Sequence, residues 1–127
     1  MKKHHILVLA FGLLAIASCK DEEIDSAALT GKSVAYPLFT GAQDWGYQGE
    51  ATFAERNDGN TLLTIELTGP SGVTQFPAHL HYGAYSLEAD MAAMLTPVDA
   101  TTGKSETLLK QLANGDEILY AELMRLT

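Results

Sequence analysis

The sharpest chemical feature of the chain is His79-Leu80-His81. On a β-strand, residues i and i+2 project from the same face, so the two imidazoles stand side by side. Two nitrogen donors so placed can grip one ion, and imidazole suits zinc and copper. A stable tetrahedral site wants a third and often a fourth ligand. His4 and His5 fall in an N-terminal segment expected to be cleaved, which leaves His79 and His81 as the histidines of the mature chain. Glu88, Asp90 and Glu122 are candidate carboxylate partners. Met91, Met94 and Met124 are candidate soft donors for Cu(I), although methionines at this spacing more commonly fill a core. By themselves two imidazoles leave an ion half-coordinated. The expectation is therefore no resident cofactor, with weak copper or zinc binding at most. The competing expectation is a pair of half-exposed strand histidines that hydrogen-bond to loop backbone.

A second candidate surface is aromatic. Trp45, Tyr47, Tyr82 and Tyr85 could stack on a ligand such as a glycan, although exposed Tyr and Trp equally serve as rim packing. No Ser/His/Asp or Cys/His arrangement accompanies the histidines, and neither histidine sits beside a plausible nucleophile. The glycines fall at turns rather than in a phosphate-cradling loop. These features point to a non-enzymatic protein.

The elements that must position these residues are mostly strands. Thr61 to Thr68 alternates, with Leu63, Ile65 and Leu67 on one face and Thr64, Glu66 and Thr68 on the other, the pattern of a half-buried antiparallel strand. Glu50 to Arg56 alternates before it, with Phe53 expected to share the core of Leu63 and Ile65. Asn57-Asp58-Gly59-Asn60 between them is a hairpin turn. Ser33 to Phe39 is an earlier strand, and Pro37 marks it as an edge. Gln75 to Tyr82 places Phe76, Ala78, Leu80 and Tyr82 opposite His79 and His81. Ser86 to Leu95 reads either as a short helix capped by Ser86, from the spacing of Leu87, Met91, Met94 and Leu95, or as an ordered loop. Ser105 to Ala113 is ambiguous, with a helical Leu108, Leu109, Leu112 spacing that stops at Asn114-Gly115. Ile118 to Leu126 alternates as a last strand.

The N-terminus reads as an address. Lys2-Lys3 precede an apolar run from Ile6 to Ile16, too short to span a bilayer, and then Ala17-Ser18-Cys19. This ending resembles a bacterial lipobox, in which cleavage falls before a cysteine that becomes lipidated. Residues 1–18 are expected as a lipoprotein signal peptide and Cys19 as the lipidation site. A lipobox cysteine carries more than one acyl chain, and each buried CH₂ contributes ~0.8 kcal/mol, which makes attachment effectively permanent. Cys19 is the sole cysteine, so no internal disulfide can form. Lys20-Asp21-Glu22-Glu23 is similar to the short signal that carries some Gram-negative lipoproteins to the outer face of the outer membrane. Residues 19–32 are expected as an acidic tether, and the location as the cell envelope, on the periplasmic or surface side of the outer membrane.

Loss of Lys2 and Lys3 with the signal takes the formal net charge from −8 to −10. That argues against nucleic acid, which needs a basic footprint, and against peripheral binding to anionic head groups. The expected partners are the membrane, through the lipid, and an extracytoplasmic protein or glycan. The mature chain, roughly a hundred residues, supports one domain with one modest core.

Thr64-Ile65-Glu66-Leu67-Thr68-Gly69 followed by Pro77-Ala78-His79-Leu80-His81-Tyr82-Gly83 resembles the signature of the CHRD (chordin-type) domain, a strand ending in Gly and then Ala-His-Ile-His-Gly. Leu95-Thr96-Pro97-Val98, Thr102-Gly103-Lys104-Ser105, and Leu112-Ala113-Asn114-Gly115 leading into Ile118-Leu119-Tyr120 continue it over roughly residues 50–124. The strand–loop–His-x-His arrangement is also similar to the copper-zinc superoxide dismutase sandwich, in which such a pair contributes copper ligands. Both resemblances imply a mainly β fold, a Greek-key antiparallel β-sandwich with one or two short helices over residues 33–127. Met124 stands where the CHRD pattern has a later histidine, Glu122 where it has Asn, and the bridging histidine of a dismutase has no counterpart. Thr127 falls where that family continues into a closing strand, so the domain is expected to lack that strand or to continue beyond this sequence. The reading that results is a lipid-anchored, extracytoplasmic protein with a binding or envelope-structural role. The alternatives are a copper- or zinc-binding protein acting through His79 and His81, and a surface glycan-binding module.

Overall fold

Alternating side chains and turn-forming residues give this chain an antiparallel sheet. The computed structural model describes residues 24–25, 28–39, 46–69, 74–83 and 89–126. Among them the strands are β1 (Leu29–Phe39), β2 (Gln48–Arg56), β3 (Thr61–Thr68), β4 (Gln75–His81), β5 (Met91–Asp99) and β6 (Lys104–Leu109), followed by one helical turn, α1 (Tyr120–Leu123). Their order is β1-β2-β3-β6-β5-β4, with antiparallel pairing throughout. The expected signal peptide and Cys19 lie outside the described residues.

β3 has the bounds its alternation predicts. Leu63, Ile65 and Phe53 are buried together, and Leu67 packs against the same cluster. The β2–β3 turn closes through the Asp58 carboxylate, whose Oδ1 accepts the Asn60 N–H at 3.0 Å, while Gly59 takes a φ of +82°. β1 begins at Leu29, earlier than the expected Ser33 and within the stretch expected as tether. It is an edge strand, where Pro37 loses no ladder bond, and β4, the opposite edge, carries Pro77 on the same terms.

Elsewhere the structure corrects the reading. Residues 91–95, expected in a helix or ordered loop, belong to β5. Residues 86–88 of that segment lie outside the described residues. The register explains the misleading spacing. Phe76 and Ala78 of β4 face Val98 and Leu95, and Leu80 and His81 face Ala93 and Met91, so β5 spends one extra residue at each step. The first bulge brings Leu95 and Val98, three residues apart, to the core together, and the second puts Met91 and Met94, also three apart, on one face. Ser105 to Leu109, ambiguous by its sequence with a helical leucine spacing, is the body of β6. Its inward positions include Ser105 and Thr107, polar residues that hide the period of two. Ile118 to Leu126, expected as a strand, contains α1 instead. Ile118, Tyr120 and Leu123 turn into the core, and the Tyr120 N–H donates to the Gly59 carbonyl at 2.9 Å.

The core joins the two halves of the sheet. Ala51, Phe53, Leu63 and Ile65 of β2 and β3 share one buried cluster with Ala93, Leu95 and Val98 of β5, and Phe76, Ala78 and Leu80 of β4 pack onto it. β5 and β6 register at Asp99 and Lys104, and beyond that pair side chains tie them. Ser105 Oγ donates to the Thr96 carbonyl at 2.8 Å, and the Thr96 N–H donates to Thr107 Oγ1 at 2.9 Å.

The β5–β6 turn is organised by Asp99. Its Oδ1 accepts the N–H groups of Thr102 and Thr101 at 2.9 and 2.7 Å. Those two bonds, Thr102 first, hold its carboxyl below the ordinary aspartate value of 3.8. A carboxyl with a depressed folded value stabilises the fold above its unfolded value and loses that contribution as pH falls through the folded one. Thermal melts of the native chain and Asp99→Asn should therefore differ above pH 3.8 and converge below it. A difference that is constant across that window would show that the Asp99 charge plays no part in the turn.

Candidate functional site

β4 alternates as its sequence requires. Phe76, Ala78 and Leu80 turn toward the core, and His79 and His81 are exposed on the other face. Their ring centroids lie 6.1 Å apart with an interplanar angle of 73°. His81 Nδ1 is 2.8 Å from the Ala89 carbonyl oxygen. A carbonyl can only accept, so Nδ1 is the donor, and in the neutral ring Nε2 then presents a lone pair. The His79 ring makes no hydrogen bond among the described residues.

The neighbouring strand supplies what the sequence reading placed elsewhere. Met94 is the register partner of His79, and Met91 of His81. Residues three apart on a regular strand point to opposite faces. Here Ala92 is the extra residue of a bulge, which returns Met91 and Met94 to one face. Both are exposed, Met94 by 69% and Met91 by 37%, so neither is the core filler expected of it. The outer face of the β4–β5 ribbon therefore carries two imidazoles and two thioethers. The signal in the sequence was a His-x-His strand followed by Met-x-x-Met, but only the bulge reconciles the two spacings.

Met124 packs against the core. Glu122 Oε2 accepts the Leu119 N–H at 3.2 Å and caps α1. Asp90 meets the ribbon through its backbone, its carbonyl accepting the Tyr82 N–H at 3.1 Å. Glu88 lies outside the described residues. Among the described residues no group of three or more His, Cys, Asp or Glu side chains is placed to hold a metal.

The two described members of the aromatic set, Tyr47 and Tyr82, lie apart. Tyr47 packs edge-on against Phe76, with centroids 5.3 Å apart, at the start of β4. Tyr82 is exposed just past its other end, about 20 Å away along the strand. Trp45 and Tyr85 lie outside the described residues. β4 also borders an open cleft of about 300 Å³, walled among others by Tyr36, Leu38, Phe53 and Leu80 and by His79 and His81 themselves.

Fold and site together define an antiparallel β-sheet protein with an apolar cleft and an exposed histidine–methionine ribbon. Compared with known proteins, the chain matches no family model, no curated protein and no solved structure.

Proposed function

We propose that the chain is a lipid-anchored, non-enzymatic binding protein of the cell envelope, built as a CHRD-like Greek-key β-sandwich. The observation that carries this reading is the N-terminal sequence, a basic pair, a short apolar run and Ala17-Ser18-Cys19. Lys20-Asp21-Glu22-Glu23 supports delivery to the outer membrane. The strand order supports the finer fold: β6, β5 and β4 neighbour one another in turn, with β3 beside β6, the arrangement of a Greek key. The core shared between β2–β3 and β4–β5 supports two packed layers. The apolar cleft between them supports a binding role, since ligand sites are typically concave and mostly apolar.

The anchor is tested by Cys19→Ser in a Gram-negative host. The variant should lose incorporation of labelled fatty acid and leave the membrane fraction. A variant that still labels and sediments with membranes would overturn the reading.

A further inference from the structure

We infer that the outer face of the β4–β5 ribbon is a Cu(I) site whose donors are the imidazoles of His79 and His81 and the thioethers of Met91 and Met94. It does not depend on the anchoring of the chain. The inference rests on register. His79 faces Met94 and His81 faces Met91, and directly opposed residues on antiparallel strands hold their Cβ atoms about 5 Å apart. The bulge at Ala92 is what puts both methionines on the histidine face.

Ligand counting follows. The two imidazoles leave an ion half-coordinated, and the two thioethers complete a set of four. A metal bound at about 2.0 Å from a ring nitrogen sits about 3.2 Å from the ring centroid, so two rings on one ion have centroids up to about 6.4 Å apart. The observed 6.1 Å lies inside that span but above the roughly 5.2 Å of a tetrahedral N–metal–N angle, so the two rings must close by about 1 Å on a four-coordinate ion.

The chemistry of the donors selects the ion. Thioethers are soft and favour Cu(I), whereas zinc prefers thiolate, imidazole and carboxylate. His81 is already prepared for ligation. Its Nδ1–H is held by the Ala89 carbonyl, the outer contact that typically orients a metal-binding imidazole and leaves Nε2 for the metal. All four side chains are exposed, so the site is open to an incoming ion.

Cys19 as a free thiol and the His4-His5 pair would themselves take Cu(I), so the test uses the full chain carrying Cys19→Ser, His4→Ala and His5→Ala. Anaerobic titration with Cu(I) against a chromogenic Cu(I) chelator should show one equivalent withheld by the protein. Adding His79→Ala, Met91→Leu or Met94→Leu should each weaken retention by about tenfold or more. Met124→Leu, a change at a core-packed thioether, should leave it unchanged. X-ray absorption at the copper edge should show sulfur scattering that disappears in the Met91→Leu/Met94→Leu double variant. Circular dichroism should be the same for these surface variants. Failure to withhold copper would overturn the inference. So would retention indifferent to both methionines, or Zn²⁺ binding as tightly as Cu(I). None of these outcomes bears on fatty-acid labelling at Cys19, so the two proposals fail separately.

Discussion

Leu63→Ala should lower the free energy of unfolding by about 2–5 kcal/mol, the range measured for truncating buried leucines. Leu63 is 2% exposed and sits on β3, paired with Phe53 of β2 on one side and Thr107 of β6 on the other. A central strand held on both sides cannot collapse into the space left by the missing methyl groups, which favours the upper part of the range. Ile65→Ala should act in the same direction from the next inward position. Thr64→Ala is the control, because Thr64 is half-buried and points to the opposite face of β3. Its expected effect is below about 1 kcal/mol. Urea unfolding followed by circular dichroism separates the two. Equal losses from Leu63→Ala and Thr64→Ala would mean that the core lies on neither assigned face.

The elements legible in the sequence are those whose pattern is set locally. β3 alternates between apolar and polar side chains, and its hairpin to β2 is written in Asn57-Asp58-Gly59-Asn60. The His79 and His81 faces followed from strand parity alone. β5 was illegible because a bulge changes parity without leaving a residue-type signature, and Ala92-Ala93 reads equally well in a helix. β6 was illegible because Ser105 and Thr107 occupy inward positions and are satisfied by β5 backbone, a partner that sequence does not reveal. α1 was illegible because its place depends on the Gly59 carbonyl, some sixty residues upstream. The candidate site divides in the same way. Its histidines were visible, and its methionines were recognised as soft donors, but their orientation depends on the bulge. The acidic candidates were visible too, yet Glu122 is committed to capping α1.

Gly103→Ala should destabilise the fold by more than the same change at Gly115, although both glycines have left-handed backbone. Gly103 has a φ of +72° and Gly115 a φ of +90°, so alanine at either position meets the same conformational penalty of about 1–2 kcal/mol. The surroundings then separate them. A Cβ on Gly115 meets nothing within 4 Å, whereas a Cβ on Gly103 runs into the carbonyl oxygen of Leu67. That oxygen is backbone and cannot swing away as the end of a side chain would. Displacing it also disturbs a paired contact, because the Leu67 N–H donates to the Gly103 carbonyl at 2.6 Å and the Gly103 N–H donates to the Asp99 carbonyl at 2.7 Å. These bonds fasten the β5–β6 turn to the end of β3. Their loss should appear in two measurements together: a lower melting temperature for Gly103→Ala than for Gly115→Ala, and faster hydrogen exchange at the Leu67 amide in the first variant alone. If both variants melt alike and the Leu67 amide stays protected, the turn is not seated against β3 and the glycine is required by its dihedral angle only.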